Sequence, residues 1–464
     1  MKYDELKDEL LSAIDSAMKY ARALDADSDF EIYLYYEKSG DASINQGIVD
    51  ARDGAIAGNA VRVSVGQKVG FASAAGVTAE RVKLSVKEAL SLVRSVEFED
   101  DRFRGFADPK PAGKDGVFNE DILDLGVDDM IRSCQSLSQE AKEADDRIKM
   151  VSTTAETHWG AFAVANTRGI LEASSFGYNG VQVSAIAIEN GNRKSSFDFD
   201  YSRQHLFSET GLGKSAAQKA VRLLGGDKMD FTGRLPTIWE PIAASTYILS
   251  SLGQAAVGEP VVDGISPLCD MLGDSIGPAM LSVIDDGQAP DGLRTTAIDA
   301  EGHPQSKTPI IEDGVLKNFL FDIYFARAFG VESTGNCARG GGLFGGPPPY
   351  ENSPHPSTTN LIVHPSKKSK ENVLESIDRK AIFIEGMPLG IFHTSVATGE
   401  FSIVANNVYL VENGSITKPV KPVSISGNFY DGFKNLLSVG SDSIKTPFDV
   451  QIPTLAFDGF SITG

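Results

Sequence analysis

Runs of alternating apolar and polar residues, separated by glycine-containing turns, recur along this chain and constrain its fold more than any other feature. In residues 30–39 and 59–74 the period of two places apolar side chains on one face of a strand. Among the Asn-Gly and Asp-Gly pairs of the chain, those at residues 190–191, 313–314 and 413–414 stand where a hairpin turn is expected. These pairs favour the positive φ angles of two-residue hairpin turns. The pattern predicts antiparallel sheets, with strand breaks expected at Gly54, Gly58, Gly66 and Gly70.

Helical spacing of apolar residues predicts helices between the strand-rich regions, over residues 1–24, 78–96, 119–145 and 215–226. Thr78 stands where an N-cap is expected. We therefore predict an α+β protein, in which a small N-terminal helix and sheet domain is followed by a larger, mostly β, glycine-rich C-terminal domain. The predicted boundaries are 1–112 for the N-terminal domain, 113–230 for a central α+β segment and 231–464 for the C-terminal domain.

Composition excludes several function classes. A formal charge of −20 and a pI near 4.8 repel phosphate backbones, so nucleic acid is not an expected ligand. No stretch approaches the roughly 18 consecutive apolar residues of a membrane helix. The three cysteines, Cys134, Cys269 and Cys337, are far apart and lack CxxC spacing, which suits a reducing compartment. We expect a soluble, cytoplasmic protein.

Residues 241–264 form an apolar run of the kind that carries the ligands in a metal-binding helix. The run itself lacks metal ligands. The run ends in Gln254, Ala255 and Glu259, where a zinc peptidase would need imidazoles and a carboxylate base. None of the six histidines lies three to five residues from another, and no nucleophile elbow is present. Residues 211–215, GLGKS, resemble a phosphate-binding loop only in part. The residues alone therefore predict no metal site and no catalytic site in this chain.

Glycine-centred segments at residues 332–342, 396–416 and 423–442 are the other candidates for function. Glycine lets backbones approach closely and leaves N–H groups open, so an extended peptide could bind along such segments by main-chain hydrogen bonds. The same glycines could simply form tight turns in a curved sheet. The stretch 338–360 is too rich in glycine and proline for regular structure, and it is either a binding loop or disordered.

Four stretches resemble the TldD/PmbA family of metalloprotease subunits, in the same order as in that family. They are residues 62–90, which begin RVSVGQKVGF, residues 312–336, which end in STGN, residues 398–416, which begin TGEFSIVANN, and residues 423–440, which begin VSISGNFYDG. The resemblance covers nearly the whole chain. It implies a protein of that family's α+β fold and a role in proteolysis.

The resemblance also implies an explanation for the missing metal ligands at residues 254–259. The zinc-bearing TldD subunit has H-E-A-V-G-H, which aligns with QAAVGE at residues 254–259 here, so Gln254 and Glu259 replace the histidines and Ala255 replaces the base. No cysteine follows Cys337 to act as a third ligand. The chain resembles the PmbA branch, also called TldE, which lacks the zinc motif. On this basis no cofactor is expected in this chain, and zinc is expected in a TldD-like partner.

The function implied by the resemblance is that of a non-catalytic subunit, which binds unfolded or leader peptides for cleavage by a zinc-bearing partner. The expected assembly is a heterodimer with a TldD-like subunit, or a homodimer. Two alternatives are a self-sufficient homodimeric peptidase and a peptide-binding protein without enzymatic activity. The candidate substrate-binding residues pair glycine backbone with polar or aromatic side chains: Thr334, Gly335, Asn336, Arg339, Thr398, Gly399 and Phe401.

Overall fold

Six antiparallel strands from the first half of the chain form one sheet, in the order β3-β2-β1-β4-β5-β6. The computed structural model describes residues 2–117, 119–340 and 346–464. Because β1 pairs with both β2 and β4, the predicted segments 1–112 and 113–230 share this sheet, and the boundary between them stays a prediction. The strands are β1 (Asp29–Asn45), β2 (Ile48–Val65), β3 (Lys68–Ala75), β4 (Ile148–Asn166), β5 (Leu171–Glu189) and β6 (Asn192–Ser202).

Four helices cover one face of this N-terminal sheet. They bury alternate strand residues such as Ile32 and Ala161, whereas Tyr33 and Phe162 point to the opposite face and pack against the C-terminal part of the chain. Thr78 caps its helix as predicted, since its hydroxyl accepts a hydrogen bond from the Arg81 N–H. The helices are α1 (Tyr3–Leu24), α2 (Ala79–Ser95), α3 (Val127–Ala144) and α4 (Leu212–Arg222).

The predicted helix over residues 119–145 is divided into two. A 3-10 helix, Glu120–Asp124, is followed by α3, and Gly126 precedes the first turn of α3. The candidate phosphate loop is also closed, because the N–H groups of Gly211 and Gly213 at the start of α4 both donate to the Glu140 carboxylate. An acidic side chain therefore lies where a phosphate would bind.

The prediction that strands break at four glycines is wrong for three of them. Gly54 and Gly58 lie inside β2, Gly70 lies inside β3, and Gly66 alone of the four forms a turn. A tertiary contact requires glycine at position 58, because a Cβ there would lie 2.3 Å from the ring of Tyr350. In contrast, the pairs at residues 190–191, 313–314 and 413–414 have positive φ at both residues, as predicted.

The C-terminal part is built mostly from short strands in several sheets. Two sheets have six strands, in the orders β11-β10-β9-β14-β22-β21 and β18-β17-β15-β8-β23-β20, one has four, β16-β19-β24-β7, and one pairs β12 with β13. The strands are β7 (Thr232–Arg234), β8 (Thr237–Trp239), β9 (Val283–Asp286), β10 (Lys307–Glu312), β11 (Val315–Leu316), β12 (Cys337–Ala338), β13 (His355–Pro356), β14 (Leu361–Val363), β15 (Ala381–Glu385), β16 (Glu400–Ala405), β17 (Asn407–Glu412), β18 (Ser415–Val420), β19 (Val423–Asn428), β20 (Leu436–Val439), β21 (Ile444–Lys445), β22 (Val450–Ile452), β23 (Leu455–Phe457) and β24 (Ser461–Thr463).

One buried helix lies at the centre of these sheets. Tyr247, on that helix, packs its ring against Trp239, Phe429 and Phe457 in a core to which most of the C-terminal strands contribute. The helices of this part are α5 (Pro241–Ser250), α6 (Leu252–Ala255), α7 (Gly258–Val262), α8 (Ile323–Phe329), α9 (Lys370–Glu375) and α10 (Phe429–Lys434), with a 3-10 turn at Pro349–Glu351. Within the described residues, no helix is long and apolar enough to cross a membrane.

The apolar run 241–264 forms three short helices instead of one. The Ser251 hydroxyl donates to the Tyr247 carbonyl and ends α5, and Val257 is extended (φ −88°, ψ 156°) between α6 and α7. This extended residue widens the turn between positions 254 and 259. Gly258 permits a close approach to α8, since a Cβ there would lie 2.7 Å from the Cβ of Phe325.

Candidate functional site

The break between α6 and α7 brings the two ends of the degenerate motif to one surface pocket. Gln254 is half-buried and Glu259 is exposed, and both line an open pocket of about 350 Å³ together with Ser357. Ala255 faces the core and is fully buried. The backbone thus presents positions 254 and 259 to the same space, although they are five residues apart.

The side chains in this pocket do not fit a zinc ion. An amide oxygen is a poor zinc ligand, one carboxylate cannot hold the ion alone, and the Ala255 methyl group cannot accept a proton from water. Zinc sites in proteins take three or four ligands from cysteine thiolates, imidazoles and carboxylates. We therefore assign no metal-dependent step to residues 254–259.

A second group of possible ligands lies buried elsewhere and was not found from the sequence. Glu301, Asp322 and Cys337 each place one ligand atom within 4.8 Å of the others. Glu301 already accepts hydrogen bonds from Arg62 (2.7 Å) and from the Ile323 N–H (2.9 Å). Burial, and next the Glu301 carboxylate, raise the pKa of the Cys337 thiol well above its usual value, which disfavours the thiolate that zinc requires.

Glu301 belongs to an ion-pair network that joins the N-terminal sheet to the C-terminal part. The Arg62 guanidinium bridges Glu31 and Glu301, and Arg339 donates to Glu31 at 2.7 Å. Arg339 also lies over the ring of Tyr33, with its guanidinium carbon 4.7 Å from the ring centroid. Because both arginines are almost fully buried, each carboxylate needs its partner to avoid an uncompensated charge.

Thr334 and Gly335, predicted as substrate-binding residues, form a tight turn with an internally bonded backbone. The Thr334 N–H donates to the Phe321 carbonyl, and the Gly335 N–H donates to the Ser333 hydroxyl. Gly335 has φ +73°, and a Cβ there would lie 2.3 Å from the Pro304 carbonyl oxygen. The open backbone expected here is therefore wrong, because the glycine is needed for the turn itself.

Gly399 and its neighbours show the same arrangement. The Gly399 N–H donates to the Ser395 carbonyl, its carbonyl accepts from the Phe429 N–H, and the Thr398 carbonyl accepts from Asn428. A Cβ on Gly399 would lie 2.4 Å from the Tyr430 ring. Phe401 is 4% exposed and stacks on Phe429 in the core, at the floor of a separate depression of about 620 Å³.

Asn336 and Arg339 do lie together, in the wall of a cleft of about 690 Å³ between the N-terminal sheet and the C-terminal part. Asn336 is held by Asp285, whose carboxylate accepts from the Asn336 amide (2.6 Å) and from the Thr359 N–H (2.8 Å). Ser357 lines both this cleft and the pocket at Gln254 and Glu259, so the two spaces adjoin. Residues 346–349 contribute to the cleft wall, whereas residues 341–345 of the predicted loop lie outside the described residues.

Sequence reasoning missed the opposite wall of the cleft. Glu37 lies on β1, Glu156 and His158 on β4, and Tyr178 on β5, all on the sheet face away from the helices. His158 Nδ1 is hydrogen-bonded to Glu37 Oε1 (2.7 Å), and the His158 ring stacks on Tyr178 with centroids 4.8 Å apart. The i, i+2 spacing of Glu156 and His158 was a usable signal, because in a strand it places both side chains on one face.

Comparison with known proteins agrees with the fold and the sequence motifs. Residues 120–224 match the family model described as the PmbA/TldA metallopeptidase central domain, and residues 232–464 match its C-terminal domain. Metalloprotease PmbA of Escherichia coli O157:H7 is 27% identical over 404 residues, covering 85% of this chain and 83% of that protein. An uncharacterized protein of Methanocaldococcus jannaschii is 26% identical over 434 residues, covering 93% and 96%.

The same fold occurs in a solved structure of a relative. The crystal structure of TldE from Thermococcus kodakarensis superposes with a TM-score of 0.88 at 22% identity, covering 97% of this chain and 100% of that one. The C-terminal family model alone spans residues 232–464, which is half of this chain. This chain therefore belongs to the TldD/PmbA family of metallopeptidases, as its sequence motifs predicted.

Proposed function

We propose that this chain is the non-catalytic, PmbA/TldE-like subunit of a TldD/TldE-type metalloprotease. The observation that carries the proposal is the side-chain set at Gln254, Ala255 and Glu259. A zinc peptidase needs an ion that polarises the scissile carbonyl and a base that takes a proton from water. An amide, a methyl group and one carboxylate supply neither function, so a TldD-like partner provides the zinc and the base.

The role proposed for this chain is substrate binding. The cleft and the pocket at residues 254–259 adjoin at Ser357, which gives an extended peptide a continuous surface from one to the other. Asn336 and Arg339 line that surface, and the turn at Thr334 and Gly335 fixes their position. Phe401 lines the separate depression, and the turn at Thr398 and Gly399 precedes it in the chain. Such a surface suits unfolded or leader peptides, which can enter as extended chains.

The proposed functional unit is a dimer in the cytoplasm, formed with a TldD-like subunit or with a second copy of this chain. An obligate interface of this kind buries more than about 2,000 Å². A self-sufficient homodimeric peptidase would have to use side chains outside residues 254–259. A peptide-binding protein without activity would use the same cleft but would have no catalytic partner.

Metal content tests the assignment of the zinc to the partner. The purified chain should retain no stoichiometric zinc after dialysis, whereas its complex with a TldD-like subunit should retain zinc. Elemental analysis of both samples measures this directly. One tightly held zinc per copy of this chain alone would contradict the proposal.

A further inference from the structure

The sheet-side wall of the cleft presents aromatic rings and carboxylates together. We call this surface the aromatic wall, defined by Tyr35, Phe162, Phe176, Tyr178 and Tyr201. The rings of Phe176, Tyr178 and Tyr201 are partly exposed, and Tyr35 stacks on Phe176 with centroids 5.7 Å apart. The faces of such rings carry partial negative charge and attract cations.

Two glutamates stand among these rings. Glu37 accepts hydrogen bonds from the Tyr35 hydroxyl (2.8 Å) and is paired with His158. The Glu156 carboxylate forms no hydrogen bond and no ion pair with any described residue, and burial raises its pKa. A half-buried carboxylate without a partner is costly unless a cation from outside the chain compensates for it.

The cationic side chains of the cleft are already neutralised. Arg294 is paired with Asp449, and Arg339 is paired with Glu31. Burial raises the pKa of the Asp299 carboxyl well above its usual value, which favours its neutral form. Glu156 is then the carboxylate of this wall that faces no cationic side chain other than the His158 imidazole, which is itself paired with Glu37.

From this arrangement we propose that the aromatic wall binds the ammonium group of a lysine side chain carried by an extended peptide. The alkyl part of lysine packs against Phe176 and Tyr178, and its ammonium group approaches Glu156 and the ring faces. The choice of a peptide as the occupant rests on the proposed function, and a volume of about 690 Å³ accommodates several residues. Such a site would give the peptide-binding cleft a preference for one type of side chain.

The same groups give the site a pH dependence. His158 faces Glu37 and Asp41 from β1 and Glu156 from its own strand, and its pKa is raised by these carboxylates against the opposing effect of burial. Arg294 and Asp449 approach Tyr178 from across the cleft and remain paired. As the pH falls, His158 gains a positive charge and Glu156 loses its negative charge, so both changes weaken the binding of a cation.

Calorimetric titration of this chain alone tests the inference without any cleavage. The probes are the blocked peptide acetyl-Gly-Gly-Lys-Gly-Gly-amide and the same peptide with norleucine in place of lysine. The lysine peptide should bind roughly tenfold more tightly than the norleucine peptide, as expected for an ammonium group beside aromatic rings and a carboxylate. Its affinity should be lower at pH 6 than at pH 8.

Glu156→Gln removes the unpaired charge with little change of shape, and Glu97→Gln, at an exposed residue outside the cleft, is the matched control. The first variant should lose most of the preference for lysine, and the second should keep it. Equal binding of both peptides, or equal behaviour of both variants, would overturn the inference. Binding of propylammonium without binding of the lysine peptide would exclude a peptide as the occupant. Because the partner is absent, these results are independent of whether the pair cleaves peptides.

Discussion

Asp285 is the residue that fixes the C-terminal wall of the cleft. Its two oxygens accept three hydrogen bonds, from the Asn336 amide, the Thr359 N–H and the Thr359 hydroxyl. Burial raises the pKa of Asp285 to about 6, while these three donors act in the opposite direction. A side chain with two acceptor oxygens is required at this position.

Asp285→Asn should lower the free energy of unfolding by about 1–3 kcal/mol, the usual cost of an unsatisfied buried donor. The new side-chain N–H₂ group would face an N–H donor of Asn336 or of Thr359, and two donors cannot form a hydrogen bond with each other. Chemical denaturation measures the change. Asp270→Asn, at an exposed position, is the control and should have little effect. A loss no larger than that of the control would show that Asp285 does not organise the wall.

Glu240 gives the fold a dependence on pH. Its carboxyl accepts a hydrogen bond from the Gly386 N–H and lies near Glu385, which is held by Arg222 and Tyr409. Burial, and next the charge of Glu385, raise the pKa of Glu240 above its usual range. Between the ordinary carboxyl pKa and this raised value, the folded state keeps a proton that the unfolded state has lost. Stability therefore falls as the pH rises through this interval.

Glu240→Gln should remove this loss, because glutamine is neutral and can still accept from Gly386. The melting temperature of the variant minus that of the wild type should be larger at pH 8 than at pH 5. Glu312→Gln, at an exposed residue, provides the control. A difference between variant and wild type that is the same at both pH values would contradict the raised pKa.

Residue types that depend on local geometry were predictable, whereas those that depend on tertiary contacts were not. The Asn-Gly turns and the Thr78 cap follow from backbone preferences within a few residues. Gly58, by contrast, is fixed by Tyr350, nearly 300 positions further along the chain. The same limit applies to Gly335 and Gly399, whose backbone groups are bonded within the chain. Valine at either position would disturb the turn and not merely obstruct a substrate.

Among the secondary-structure elements, the break between α6 and α7 shows most clearly that backbone geometry and side-chain chemistry are set independently. The extended backbone of Val257 widens the turn between positions 254 and 259. What the sequence did not show is that Ala255 faces the core while Gln254 and Glu259 share a pocket. The backbone thus presents two of the three motif positions to one pocket, and neither carries a zinc-binding imidazole.

Restoring the motif by Gln254→His, Ala255→Glu and Glu259→His should give weak zinc binding at most. Only two imidazoles would reach the pocket, and apart from positions 254 and 259 its described lining residues include no histidine, cysteine or carboxylate. Gln139→His with Glu143→His is the comparison, because these residues already touch across one turn of α3 and would form a two-imidazole site on a regular helix. Calorimetry should find the restored motif no tighter than this site. Stoichiometric binding that is much tighter would contradict the account.

At the scale of the whole molecule, the cleft could not be predicted from the sequence. Its walls come from strands in residues 29–202 and from loops beyond residue 290, and no local pattern shows which sheet face meets which loop. Alternation in residues 30–39 did predict the strand that carries Glu37. It did not predict that β1 and β4 are neighbours, which is what places His158 beside Glu37.

In the proposed function, this chain binds the peptide and its partner cleaves it. The most direct measurement is mass spectrometry of an unfolded peptide incubated with this chain alone, with a TldD-like subunit from the same source alone, and with both together. The account predicts an intact peptide with this chain alone, and fragments with the pair that disappear when a chelator is added. Hydrolysis by this chain alone that resists a chelator would contradict it and would place the chemistry in residues outside 254–259.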